Sequence, residues 1–283
     1  MKSSLLWRCG RHVLSFEFPR IMAIINLTPD SFSGDGLAGS AEAALKQAKR
    51  AKAQGAAILD LGGESSRPGS ESVSVQEELD RVIPAIEAVL PLGLPISVDT
   101  VKPEVMREAV RAGATIINDI NALRESGAVE VVAQSGVGVC LMHMQGQPRT
   151  MQASPEYADV GWEVEAFLLE RVRALEAAGV ASERICLDPG FGFGKTLEHN
   201  LALFRDMPRL KARGYPLLVG VSRKTMLGTI TGRPVAERVT ASVTAAVLAA
   251  QRGADILRVH DVAATRDALA IWAAIDREAP DAY

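Results

Sequence analysis

Apolar residues along this chain follow two alternating rhythms. Short runs rich in Ile, Val and Leu occupy 21–25, 57–61, 96–98, 116–117, 137–142, 185–187, 217–221 and 256–259. A continuous apolar run of this length between turn residues predicts a strand buried on both faces. The intervening stretches change to helical spacing, as in Leu79, Val82, Ile83, Ile86, Val89 and Leu90, or Val235, Val239, Val243 and Val247. That spacing puts the apolar side chains on one helix face. Gly55, Gly113, Gly179, Gly214 and Gly253 each follow a helical stretch, where a left-handed closing residue is needed, and Pro103 and Pro234 stand near helix starts. Strict strand–helix alternation implies parallel strands with right-handed crossovers, and eight units predict an α/β fold of the (β/α)8 TIM-barrel type. A doubly wound open sheet is the architectural alternative. The barrel is expected over 21–283, preceded by an N-terminal extension over 1–20.

In such a barrel the site is built where the strands end at their C-terminal side, so the residue after each apolar run is the informative one. Asn26 ends the first run, and Asp60 the second, followed by Glu64, Ser65, Ser66 and Arg67. Asp99 ends the third, Asn118 and Asp119 the fourth, His143 the fifth and Asp188 the sixth. Ser222, Arg223 and Lys224 follow the seventh, and Arg258, Val259 and His260 lie in and just beyond the eighth. Asp99, Asn118 and Asp188 offer two carboxylates and an amide, which match the donor and acceptor edge of a flat heterocycle. Asn26, Arg258 and His260 come from the first and last strands, neighbours in a closed barrel, and could hold an anion with a metal ion sharing the charge. Ser222, Arg223 and Lys224 set hydroxyl, guanidinium and ammonium donors side by side, suited to a carboxylate or a heterocycle. A Schiff-base lysine is the rival reading of Lys224.

Each of these residues also has a plainer explanation. A strand-end Asp can cap the next helix, as Asp99 could before Pro103. Asp119 reads as structural, His143 between two methionines as a packed core histidine, and His12 and His199 as solvated. The glycine-rich stretch at 189–194, followed by Lys195, has neither the Walker spacing nor a dinucleotide fingerprint. Its glycines are expected to allow a tight turn and close approach to a flat ligand. Two loops, 28–39 and 62–74, are rich in Gly, Ser or Pro and are expected to act as lids.

Composition narrows the class. With 283 residues, 48% hydrophobic and 23% charged, the chain can bury a large core. Its net charge of -3, from 31 basic and 34 acidic residues without a basic block, argues against nucleic acid. No stretch approaches the length of an apolar membrane span. Arg8, Arg11 and His12 interrupt the N-terminal stretch, which reads as a leader with a hairpin around 15–18 rather than a signal peptide. Cys9, Cys140 and Cys186 lack metal-binding spacing, and the last two lie in apolar runs, so a reducing cytoplasm is expected.

Seven motifs carry a family resemblance over about 21–262: NLTPDSFS at 26–33, GGESSRPG at 62–69, SVDTVKP at 97–103, IINDI at 116–120, LDPGFGFGK at 187–195, SRK at 222–224 and RVHDV at 258–262. The chain closely resembles the dihydropteroate synthase family of pterin-binding TIM barrels. The resemblance implies joining of a dihydropterin methyl diphosphate to 4-aminobenzoate in folate biosynthesis, with Mg2+ as cofactor and a homodimer as assembly. It implies pterin binding by Asp99, Asn118, Asp188 and Lys224, and diphosphate binding by Asn26, Arg258, Val259 and His260. Asn26 would also contact the metal, Ser66, Arg67 and Ser222 would line the aminobenzoate side, and Lys224, Asn26, Arg258 and His260 would carry the chemistry. Two departures stand out. The first loop reads SFSGDG at 31–36, which displaces its acid to Asp35, and Ser66 replaces the usual Thr. A pterin-dependent methyltransferase barrel and a catalytically silent pterin-binding paralogue are the competing readings. The helix expected at 234–251, rich in Ala and Val, is a candidate dimer contact, with packing on the barrel as its ordinary role.

Overall fold

In the computed structural model, residues 5–28, 36–65 and 69–276 are described. Eight parallel strands form the barrel wall: β3 (Arg20–Asn26), β4 (Ile58–Gly62), β5 (Ile96–Asp99), β6 (Ile116–Asp119), β7 (Gly138–Met142), β8 (Ile185–Asp188), β9 (Leu218–Val219) and β10 (Ile256–Val259). They pair in sequence order from β3 to β8, β10 joins β3 to β9, and a parallel bridge from Leu187 to Leu217 closes the ring between β8 and β9. Sequential order and closure exclude the doubly wound sheet, whose strand order reverses at a switch point. The seventh strand is shorter than its apolar run of 217–221, because only Leu218 and Val219 pair as strand.

Helices follow each barrel strand: α1 (Gly36–Ala53), α2 (Val75–Val89), α3 (Pro103–Ala112), α4 (Ala128–Ala133), α5 (Val160–Ala177), α6 (Leu197–Lys211), the pair α7 (Thr225–Thr231) and α8 (Val239–Gln251), and α9 (Val262–Asp276). Their ends obey local chemistry. Ser74 and Glu77 form a reciprocal capping box at α2, Pro103 opens α3, and the five glycines expected to close helices all take positive φ. The helix expected at 234–251 divides into a single 3-10 turn, Val235–Glu237, and then α8, which leaves Val235 57% exposed instead of on a packed face. The first loop is also shorter than expected, since α1 begins at Gly36.

The N-terminal hairpin exists but lies earlier than expected. Strands β1 (Leu6–Cys9) and β2 (His12–Ser15) pair antiparallel around Gly10, whose φ is +59°. Alternation explains it: Trp7 and Cys9 are fully buried while Leu6 and Arg8 face outward. Trp7 donates from its indole nitrogen to the Arg184 carbonyl at 2.9 Å and packs with Cys9, Met22, Ile58, Ile116, Cys140, Cys186, Leu218 and Ile256. The hairpin therefore plugs the N-terminal mouth of the barrel with apolar surface. All three cysteines are free and buried there.

Candidate active site

The two-residue period of each strand decides what enters the barrel. In β4, Ile58 joins the basal cluster, Leu59 and Leu61 belong to the outer core beneath the helices, and Asp60 is the next interior side chain above Ile58. By the same step Ile256 gives way to Arg258, Ile116 to Asn118, Cys186 to Asp188 and Cys140 to Met142. The adjacent parallel registers set Asp99 opposite Asn118, with Gly62 opposite Asp99 and Asp60 opposite Ser97. A polar layer therefore rests directly on an apolar one.

Arg258 is the centre of that layer. Its Nε donates to Asp60 Oδ2 at 2.6 Å, and its Nη2 donates to Asp99 Oδ2 at 2.7 Å. Asn118 directs its amide at Asp60 Oδ1 from 3.5 Å, the limit of a hydrogen bond. Burial pushes the Asp99 carboxyl up to about 7, against the pull of Arg258 and with the help of Asp60, Asp119 and Glu78. Burial alone disfavours the Arg258 charge, but Asp60 and Asp99 reverse this and hold the guanidinium above its ordinary value. The carboxyl of Asp188 is raised by burial, opposed by Lys224 and by the Gly190 N–H that it accepts at 2.7 Å.

Lys224 reaches the same layer from the start of α7. Burial lowers its ammonium to about 8, with Asp188 and Asp99 opposing and Arg258 adding to the fall. It donates to the Phe191 carbonyl and lies 4.3 Å from the centre of the Phe193 ring. Its two predecessors turn elsewhere. Arg223, at φ +59°, forks onto Asp261 at 2.6 and 3.0 Å, and so is engaged in an ion pair instead of joining Lys224. Ser222 Oγ lies 3.0 Å from His260 Nδ1 and accepts from the His260 N–H at 3.3 Å. Ser222 thus meets the His260 side of the ring. Val259 packs its side chain into the outer core, leaving only its backbone for a ligand. Asn26 ends β3, half-buried, opposite Gly62.

Ile120, Met142, Met144 and Met151 form a buried apolar cluster, with Val101 and Phe193 against it. A cavity of about 570 Å³ opens beside it, bounded by Asp99, Ile120, Met144, Glu64 and Arg124. Such a volume suits a small flat ligand.

Several expectations need adjustment. The glycine-rich turn at 189–194 makes its close approaches to protein: a Cβ on Gly190 would lie 1.9 Å from the His143 carbonyl, and one on Gly194 2.4 Å from that of Gln145. Lys195 is buried against the same turn and binds the Gly190 and Phe193 carbonyls and His143 Nδ1. His143 is a packed core residue, its ring edge-on to Phe167. Asp119 is structural and accepts from the N–H groups of Asn121 and Leu123. His199 is half-buried and not simply solvated, since it completes the cap of α6 with Thr196 and meets Tyr157 edge-on; His12 is half-buried too. Ser66, Arg67 and Asp35 lie outside the described residues, as does most of the first loop. In the second loop, Lys102 ties the Val73 carbonyl to Glu78 and Glu64. Asp60 is the residue whose part was not foreseen: its place in an apolar run was visible, its arginine partner was not.

A cavity that reaches Asp99, with buried acids and an arginine beside it at the C-terminal mouth of a barrel, defines a binding site for a flat, polar-edged ligand. The chain belongs to the Pterin binding enzyme family, which it matches over residues 22–260. It is 50% identical over 277 residues to the dihydropteroate synthase of Neisseria meningitidis serogroup B, an alignment covering 95% of this chain and 97% of that protein. Two solved structures are also similar. The Xanthomonas albilineans dihydropteroate synthase with 4-aminobenzoic acid is 51% identical, with a TM-score of 0.92 over 98% of this chain and 100% of that one. The Burkholderia cenocepacia dihydropteroate synthase complexed with 7,8-dihydropteroate is 49% identical, with a TM-score of 0.88 over 96% and 97%. The function of the chain is that of a dihydropteroate synthase, a transferase of folate biosynthesis.

Proposed function

We propose that the charged layer condenses (7,8-dihydropterin-6-yl)methyl diphosphate with 4-aminobenzoate, giving 7,8-dihydropteroate and diphosphate. Asp99, Asn118, Asp188 and Lys224 hold the pterin, and Asn26, Arg258, the Val259 backbone and His260 hold the diphosphate. Ser66, Arg67 and Ser222 face the aminobenzoate, and the contact of Ser222 to His260 supports a position for it where the two substrates meet. The observation that carries this reading is Arg258, which touches Asp99 of the heterocycle face while belonging to the strand beside Asn26.

The bond from the methylene carbon to the diphosphate oxygen breaks first, and its electron pair leaves with the diphosphate. The pterin ring spreads the resulting positive charge, which buried Asp99 and Asp188 favour electrostatically. The neutral aniline nitrogen then supplies the pair for the new C–N bond and loses a proton. An aniline needs no strong base, so binding and orientation do most of the work. Lys224, poised near 8 and 4.3 Å from the centre of the Phe193 ring, donates to the heterocycle carbonyl.

Asn26 offers one oxygen donor for Mg2+, and among the described residues no group of three or more His, Cys, Asp or Glu could hold a metal by itself. Asn26 would hold a magnesium ion that arrives with the diphosphate, a hard cation suited to oxygen donors. When bound, the ion would neutralise charge on the leaving group. Free, buried cysteines fit a reducing cytoplasm, and among the described residues no helix is long and apolar enough to cross a membrane. Exposed Ile230, Val235 and Leu248 on and beside α7 and α8 fit a homodimer contact.

The test mixes purified protein, the dihydropterin methyl diphosphate, Mg2+ and 4-aminobenzoate and follows both products. Diphosphate and dihydropteroate should appear in equal amounts. Pterin binding without product would replace the synthase by a silent pterin-binding protein.

A further inference from the structure

Asp60 has no part in the roles above, yet it is completely enclosed, with 0% relative exposure. A carboxylate inside a barrel is costly unless it is paired and hydrogen-bonded. Both its oxygens are engaged: Oδ2 accepts Arg258 Nε at 2.6 Å, and Oδ1 faces the Asn118 amide at 3.5 Å. The guanidinium is a rigid planar fork. Held at Nε, it cannot swing away, but its outer Nη groups remain available. One of them is occupied by Asp99, at 2.7 Å.

That arrangement raises a problem of exchange. If Asp99 takes the pterin, Arg258 loses one of its two carboxylates at the moment when it must face the leaving group. We infer that Asp60 is the positioning residue for Arg258, holding its Nε so that the Nη groups point at the diphosphate once Asp99 has turned to the pterin. The inference rests on the reading proposed above for Asp99 and Arg258. Asp60 touches neither substrate and acts through the arginine, with its weaker contact to Asn118 linking the pterin and diphosphate halves. It also supplies the countercharge that lets an arginine remain in the barrel mouth throughout the exchange.

A double-mutant cycle tests this, using wild type, Asp60→Asn, Arg258→Ala and the double variant of the full chain, with kcat, KM and Tm measured for each. Asn keeps the volume of Asp, but a single amide oxygen cannot serve both Arg258 and Asn118. Asp60→Asn should lower kcat/KM by about 10-fold to 100-fold through lost positioning of a charged donor. In the Arg258→Ala background the same change should cost less than about twofold, because the residue through which Asp60 acts is gone. Binding of inorganic diphosphate with Mg2+ should weaken in Asp60→Asn and fall no further in the double variant than in Arg258→Ala. Equal factors in both backgrounds would mean that Asp60 only supports the fold, and an unchanged kcat/KM in Asp60→Asn would equally overturn the inference. Should Asp60→Asn fail to fold, Asp60→Ser takes its place in the same cycle. A wild type that makes no product instead overturns the reading on which the inference rests.

Discussion

The two ends of the barrel interior are made by the same strands and differ by one step of the two-residue period. At the N-terminal end Met22, Ile58, Ile116, Cys140, Cys186, Leu218 and Ile256 pack onto Trp7 of the hairpin without a charge among them. At the C-terminal end Asp60, Asn118, Asp188 and Arg258 follow two residues later. The lower layer is built by burial of apolar area, which is indifferent to orientation. The upper layer is built from charges that are expensive singly and tolerable only as a set. Stability should therefore concentrate below and function above, and substitutions in the two layers should move different observables.

The largest effect is expected from Trp7→Ala. Removing a fully buried indole that fills the mouth and bonds to the Arg184 carbonyl should cost about 3–5 kcal/mol of stability. Protein that remains folded should keep its kcat, so thermal melting and turnover would separate. A variant with unchanged Tm and reduced turnover would break the division between the layers. Next comes Lys224→Ala in the upper layer, which removes an ammonium set over Phe193 beside Asp188. Its kcat should fall by about 10²–10³-fold, the usual range for one preorganised donor, with Tm nearly unchanged. Diphosphate release measured beside melting decides it, and near-normal release would remove Lys224 from the proposed site.

The contrast between the layers also explains what could be read from sequence. Strand-end polar residues were legible because apolar runs mark strands and barrels put their chemistry where strands end. Arg258, Asp99, Asn118 and Asp188 converge as that rule requires. Partner choice was not legible. Asp60 and Arg258 are 198 residues apart, and nothing local in either segment encodes their contact. Arg223 looked like a companion of Lys224, but its left-handed backbone turns it to Asp261, 38 residues away. The hairpin was misplaced for a different reason. Its strands are only four residues each, and Arg8 and His12 mask the alternation that buries Trp7 and Cys9. His199 carried a readable signal, since Thr196 stands three residues before it in a capping pattern, though with histidine where Glu or Gln is usual.

A smaller effect, opposite in sign, is expected from Asp99→Asn. The carboxyl of Asp99 is raised from 3.8 to about 7, chiefly by burial. The folded chain therefore holds this proton more tightly than the unfolded chain does. Its contribution to stability is fully present below pH 3.8 and is lost as pH rises through about 7, beyond which the buried charge is a constant penalty. Asn is neutral throughout and leaves Arg258 paired with Asp60, so the variant should match wild type near pH 4 and gain on it as pH rises. Above pH 7 the gain should level off as a higher Tm than that of wild type, while product formation is lost. A destabilised variant at pH 8 would show instead that the Asp99–Arg258 pair outweighs the burial of its charge.

The least effect is expected from chemistry aimed at the lower layer. Cys140 and Cys186 face each other across β7 and β8, and Cys9 lies beneath them on the hairpin. Burial raises the Cys9 and Cys140 thiols well above their ordinary value, so neither presents a thiolate at neutral pH. A water-soluble disulfide reagent at pH 8 should leave all three thiols of the native protein untouched and modify them only after denaturation, with activity unchanged in the meantime. Labelling on the timescale of hairpin opening, faster than global unfolding, would mean that the plug separates from the barrel by itself. The lower layer would then be a detachable cover, and the stability assigned to Trp7 would belong to the hairpin more than to the barrel.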